Sequence, residues 1–185
     1  VTGRYYAMDR DKRWERISKA YEVLVHGKGV PTSDPLEAFT SSYATGKTDE
    51  FIEPHVVVDG AGQPLATIRP GDVVLCFNFR TDRCREITQA LTQQAFPEQG
   101  MAPLDLHYIT LTEYDHSYKK VGVLFRKDDL KMTIGEVVAQ AGKQQIRIAE
   151  TEKYPHVTFF FSGGREDEYP GEKRGEQRSD GQCDQ

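Results

Sequence analysis

At 185 residues the chain suits one domain of ordinary size or parts of two, and it can bury a substantial core. With a formal net charge of -5, a pI near 5.6 and no basic run at either end, a nucleic-acid or anionic-membrane partner has little electrostatic support. No apolar run approaches the roughly twenty residues of a membrane span, and Val1-Thr2-Gly3 begins nothing like a signal peptide, so a soluble, cytoplasmic protein is expected.

The pattern along the chain alternates helix and strand. Gly3 to Met8 reads as a short extended or irregular lead-in. Asp9 to His26 then carries Trp14, Ile17, Tyr21, Leu24 and Val25 at three- and four-residue spacing and is followed by Gly27, which predicts an amphipathic helix. A second, short helix is predicted from Pro35 to about Ala44, with Ser33 or Asp34 as its cap and Gly46 as its stop. Phe51 to Val58 looks extended but is interrupted by Pro54, and the turn Asp59-Gly60-Ala61-Gly62 suggests a hairpin reaching Leu65 to Ile68.

Val73 to Phe77 is a continuous apolar run bounded by Pro70-Gly71-Asp72 and reads as a buried strand; a helix from Asp82 to Ala95 follows. Strands are expected at Leu106 to Thr112 and Val121 to Phe125. Thr133-Ile134-Gly135-Glu136 has the form of a capping box opening a helix through Ala141-Gly142. Strands at Gln145 to Ala149 and His156 to Phe161 complete the order. From Gly163 onward the chain is polar and charged, which predicts a poorly ordered tail. The fold class is therefore α/β, with a mixed or parallel sheet flanked by helices.

The most pointed chemistry lies in Asn78-Phe79-Arg80-Thr81-Asp82-Arg83, where two guanidiniums at i and i+3 leave the carboxyl end of a strand. In open α/β sheets that end lines the ligand crevice, and the following helix start offers free N–H groups. Phosphate or carboxylate binding is the chemistry suggested, with Asp82 as the internal partner that would make the arginines structural instead. Arg4 and Arg10 flank the lead-in to the first helix and could meet one anion, or pair with acids such as Asp9, Asp11 or Glu15. Lys153, between two expected strands and flanked by Glu150 and Glu152, is either a surface ion-paired lysine or a point charge on a phosphoryl group. His26, His55, His107, His116 and His156 lack metal-ligand spacing, as do Cys76, Cys84 and Cys183; the odd cysteine count argues against a secreted disulfide framework, and Cys76 is most simply a small core residue.

The strings Gly3-Arg4-Tyr5-Tyr6-Ala7-Met8-Asp9-Arg10-Asp11-Lys12-Arg13-Trp14-Glu15-Arg16, Asp49-Glu50-Phe51-Ile52-Glu53-Pro54, Asn78-Phe79-Arg80-Thr81-Asp82-Arg83, Ala149-Glu150-Thr151-Glu152-Lys153-Tyr154 and His156-Val157-Thr158-Phe159-Phe160-Phe161 together resemble cofactor-independent phosphoglycerate mutase, in that family's order and over about residues 1 to 174. The resemblance implies a two-domain enzyme of the alkaline phosphatase superfamily that interconverts 3-phosphoglycerate and 2-phosphoglycerate through a phosphoserine, as part of glycolysis and gluconeogenesis. It also implies two divalent ions, usually Mn2+, and a transferase domain inserted into the phosphatase-like one. On that resemblance Arg4, Arg10, Arg80 and Arg83 match substrate-binding arginines and Lys153 a lysine near the transferred phosphoryl.

The serine nucleophile and the metal-binding residues have no counterpart motifs here, so the chain looks like an internal piece needing the remainder of a parent chain, itself expected to be monomeric. Residues 1–129 then correspond to the later part of the transferase domain, 130–174 to a return into the phosphatase-like domain, and 175–185 to a polar tail that departs from the family pattern. The returning strands are expected to leave an exposed edge and apolar face. A non-catalytic phosphate- or carboxylate-binding module is the alternative function for such a chain.

Overall fold

A computed structural model of the chain describes residues 1–126 and 130–177. The chain divides into two compact units, Val1–Lys127 and Asp128–Gln185. The strand ladders described are parallel throughout, which fits the α/β class read from the sequence.

The first unit opens on a one-turn helix, α1 (Arg4–Ala7), where an extended or irregular lead-in was expected. Gly3 explains the difference. Its N–H donates to the Ile52 carbonyl at 2.8 Å, and a Cβ there would lie 2.3 Å from the Glu50 carbonyl oxygen, so only glycine lets the backbone come this close before it turns. The next helix, α2 (Trp14–Tyr21), begins five residues later than its periodicity suggests. The Asp9 carboxylate accepts from the Asp11 and Arg13 N–H groups, both at 2.9 Å, and Lys12 takes a positive φ, so residues 9–13 form a side-chain-closed loop instead of a helical turn. A π-helical turn, Glu22–His26, extends α2 to Gly27, whose φ of 62° ends it as expected.

Strand β1 (Val30–Thr32) pairs in parallel with β2 (His55–Val57). Proline at its centre hides β1 from a strand search, and a two-stranded edge tolerates it. Helix α3 (Pro35–Ala44) starts and stops where expected, with the Asp34 carboxylate accepting from the Leu36 N–H at 2.9 Å. The expected hairpin shrinks to one antiparallel bridge between Val58 and Pro64.

The main sheet is β3 (Val73–Cys76), β4 (His107–Thr112) and β5 (Val121–Phe125), with β4 in the middle. Helix α4 (Arg85–Thr92) follows a turn at residues 81–84, shorter at both ends than the helix predicted over Asp82 to Ala95. Ile17, Ala20 and Tyr21 of α2 join Ile87, Ala90 and Leu91 of α4 and Tyr108 of β4 in the buried core, so period-3.6 apolar stripes meet a period-2 strand face. Edge strand β3 is not the buried strand its apolar run predicts. Val73, Leu75 and Phe77 are 70%, 50% and 81% exposed, and only the alternate residues Val74 and Cys76 pack against the core.

The second unit contains α5 (Ile134–Gln140), β6 (Gln145–Glu150) and β7 (Glu172–Gln177), the two strands being parallel and in register along all six residues. The capping box does not close. Thr133 spends its hydroxyl on Tyr169 Oη at 2.8 Å, while Glu136 Oε2 accepts from the Met132 N–H at 2.6 Å, one residue outside the expected pair. The strand expected at His156 to Phe161 is a π-helical turn, His156–Phe160, and part of the expected loose tail is β7; residues 178–185 of that tail lie outside the described residues. The exposed apolar face does occur, with Ile146 and Ile148 of β6 at 74% and 66% exposure.

Candidate functional site

The loop between β3 and α4 is held by side-chain hydroxyls at and just beyond the end of β4. The Tyr114 hydroxyl donates to the Asn78 carbonyl at 2.5 Å, and the Thr112 hydroxyl donates to the Phe79 carbonyl at 2.9 Å. The Asn78 side chain folds inward, its Oδ1 accepting from the Arg80 N–H at 2.8 Å. A strand end thereby passes into a helix through a fixed turn, the location at which open α/β sheets present ligands.

Asp82 stands at the centre of that turn. Its Oδ1 accepts from Arg80 Nε at 2.7 Å and from the Arg83 N–H at 2.9 Å, while its Oδ2 accepts from Arg80 Nη2 and Arg10 Nη1, each at 3.1 Å. Burial pushes the Asp82 carboxyl up, but the bonds from Arg80 and Arg10 outweigh it and hold the group below the ordinary aspartate range. The internal partner weighed from sequence therefore exists, and it serves both its near neighbour Arg80 and Arg10, seventy-two positions away from it in the chain.

Arg83 differs from its neighbours. Its guanidinium donates to the Met8 carbonyl at 3.3 Å, and among the described residues no carboxylate pairs with it. Burial, and then the nearby charges of Arg10, Arg4 and Arg80, lower its pKa, with Asp82 offsetting in part. An arginine stays protonated under such pressure, so the turn holds a positive charge that an incoming anion relieves. Thr81 Oγ1 is buried beside it without a hydrogen-bond partner among the described residues. Arg4, on α1, pairs with Glu50 at 2.7 Å in an exposed bridge that stabilises little. Of the acids named for Arg4 and Arg10 from sequence, Asp9 binds Arg16 at 3.3 Å and closes its own loop.

The structure thus brings Arg10, Arg80 and Arg83 together around Asp82, with Arg4 near enough to act on Arg83. Lys153 lies in the second unit, exposed, on the turn after β6, with its N–H bonded to the Glu150 carbonyl at 2.9 Å; a helical turn follows it where a strand was expected. Sequence reasoning missed Thr112 and Tyr114, whose anchoring role depends on β3 and β4 ending side by side. Among the described residues no group of three or more His, Cys, Asp or Glu could hold a metal ion.

Residues 1–116 match the family profile described as BPG-independent PGAM N-terminus. The chain is 61% identical over 174 residues to the 2,3-bisphosphoglycerate-independent phosphoglycerate mutase of Flavobacterium psychrophilum, and 52% identical over 174 residues to that of Clostridium beijerinckii. Each comparison covers 94% of this chain and 34% of the relative, so the chain spans about a third of the length of the curated relatives it matches. A crystal structure of Leishmania mexicana phosphoglycerate mutase at low cobalt concentration superposes with a TM-score of 0.84 at 30% identity, covering 97% of this chain and 34% of that one.

Proposed function

Because the chain belongs to the BPG-independent phosphoglycerate mutase family, we propose that it supplies the anion grip of a parent enzyme that interconverts 3-phosphoglycerate and 2-phosphoglycerate. The observation that carries this reading is the convergence of Arg10 and Arg80 on Asp82 with the Arg83 guanidinium beside them. A phosphoglycerate bears a carboxylate and a phosphate on a short carbon frame, and several guanidinium forks held in one place suit both groups. Asp82 fixes two of those forks before substrate arrives, which lowers the ordering entropy lost on binding.

In this reading Arg83 makes the direct charge contact, Arg10 and Arg80 complete the cradle, and Arg4 leaves Glu50 for the substrate's outer edge. Lys153, on this chain's returning segment, neutralises charge on the transferred phosphoryl group, while the phosphoserine and the divalent ions, manganese among them, belong to the remainder of the parent chain. Residues 1–129 then act as the later part of the substrate-binding domain and 130–174 as the returning phosphatase-like segment, in a cytoplasmic, monomeric parent. The isolated chain grips the substrate and does not turn it over.

Calorimetric titration of the chain with 3-phosphoglycerate tests this. Saturable binding that weakens in both Arg80→Ala and Arg83→Ala is expected; equal affinity in the parent and both variants, confirmed as folded by circular dichroism, would sink the assignment.

A further inference from the structure

Glu86 lies in the first turn of α4 at 6% exposure, on the helix whose Ile87, Ala90 and Leu91 pack into the apolar core. Its Oε2 is buried without a hydrogen-bond partner among the described residues. A carboxyl buried in this way costs stability, and the packing of α4 against α2 does not call for one. What Glu86 holds is the Lys12 N–H, which donates to Oε1 at 2.8 Å from seventy-four positions away in the chain.

Lys12 belongs to the loop that carries Arg10, and residues 11–13 of that loop are exposed. Its φ of 59° is a left-handed conformation that a lysine keeps only where the surroundings fix it. The N–H groups on either side, of Asp11 and Arg13, both go to Asp9 Oδ2, so the loop satisfies them itself. The Lys12 N–H between them goes to α4 instead. Three successive amides are thus pinned, and the middle one is pinned by the helix that follows the turn of Arg80 and Arg83.

We propose that Glu86 is a positioning residue of the anion grip, a role that rests on reading these arginines as the phosphoglycerate site. By holding the Lys12 amide it fixes the loop that carries Arg10 against the turn that carries Arg80 and Arg83. Asp82 holds the Arg10 guanidinium from that turn at 3.1 Å, and Glu86 holds the backbone two residues further on, so Arg10 is fixed at both its tip and its root. An arginine anchored only at its tip still has a mobile backbone to order when the ligand arrives; one anchored at both ends does not. Glu86 makes no ligand contact in this scheme and acts through Arg10 alone.

Two variants separate the bond from the space it occupies. Glu86→Leu fills a similar volume with apolar atoms suited to a buried site and has no acceptor, whereas Glu86→Gln keeps an oxygen for the Lys12 N–H. Amide hydrogen exchange of the ligand-free chain, followed by NMR, is expected to show Lys12 protected despite its exposed loop. In Glu86→Leu that amide exchanges about tenfold faster or more while the α3 amides keep their rates, and in Glu86→Gln the protection returns. Calorimetric titration with 3-phosphoglycerate then shows weaker binding in Glu86→Leu and recovery in Glu86→Gln. Added to Arg10→Ala, Glu86→Leu costs less than about a further twofold, because the residue it positions is already gone. An unprotected Lys12 amide in the unsubstituted chain overturns the proposal, as does the same loss from Glu86→Leu with and without Arg10. Absence of binding by the unsubstituted chain sinks the anion-grip reading and this role with it, whereas binding with equal losses in both backgrounds sinks this role alone.

Discussion

The Arg10 guanidinium reaches the Asp82 carboxylate at 3.1 Å, with side-chain exposures of only 14% and 12%, and so ties the segment before α2 to the turn before α4. Charge-assisted bonds with this little solvent around them contribute more than surface pairs do. Asp82→Ala removes the acceptor that Arg10, Arg80 and the Arg83 N–H share, and is expected to lower stability by about 2–3 kcal/mol. Asp82→Asn retains part of the acceptor and loses roughly half as much. Urea unfolding checks both; an Asp82→Ala chain within about 0.5 kcal/mol of the parent shows that the pair contributes nothing to the fold.

Arg83 is expected to dominate binding among the four arginines, because it enters the complex without first surrendering a carboxylate. Arg83→Ala weakens 3-phosphoglycerate binding by about ten- to a hundredfold, the range of one or two charge-assisted hydrogen bonds. Arg4→Ala has a smaller effect, since Arg4 exchanges the Glu50 bridge for a ligand contact. Calorimetry on both variants ranks them, and a larger loss in Arg4→Ala reverses the order argued here.

How much of this was legible follows from where each signal resides. The strands at 107–112 and 121–125 and helix α3 declare themselves through local alternation, proline and cap, and the arginine turn through its spacing. Strand β7 does not, because Glu172-Lys173-Arg174-Gly175-Glu176-Gln177 has no apolar face; it forms through its ladder with β6 and because the buried Glu172 pairs with Arg174 at 2.6 Å and Arg147 at 3.5 Å. The π-helical turn at His156–Phe160 contains residues that favour strands, yet Arg147 donates to the carbonyls of Val157 and Thr158 and the Thr158 hydroxyl donates back to Tyr154. The Arg147 contacts cross from another element, where no local pattern records them. Asp82 was visible as a candidate partner, but its sharing by Arg10 required the tertiary fold.

Glu86 gives the first unit a pH dependence. Burial pushes its carboxyl up to about 7, against the Lys12 N–H that bonds Oε1 at 2.8 Å; the Asp9 and Asp11 carboxylates add to the rise, and Oε2 is buried without a partner among the described residues. A carboxyl whose folded pKa is raised favours the protonated fold. Its contribution is fully present below the ordinary glutamate range and is lost as pH climbs from about 4.5 towards about 7. Stability is therefore expected to fall by on the order of 2 kcal/mol across that window, and Glu86→Gln to flatten the fall. Urea midpoints at either end of the window provide the check, and an unchanged slope in Glu86→Gln assigns the dependence to another group.

The apolar face of β6 sets the solution behaviour of the second unit. Ile146 and Ile148 alternate along a two-stranded ladder at 74% and 66% exposure, while the intervening Arg147 points inward to Ser162 and Glu172. Such a flat apolar edge pairs readily with another copy of itself unless a neighbour covers it, and two strands alone bury too little to suppress that pairing. The chain is accordingly expected to self-associate as its concentration rises. Replacing Ile146 and Ile148 together by threonine keeps the strand preference while removing the apolar face, so the double variant stays monomeric at concentrations where the unsubstituted chain does not. Sedimentation velocity over a concentration series distinguishes the two, and identical association in the unsubstituted chain and the double variant places the contact on another surface.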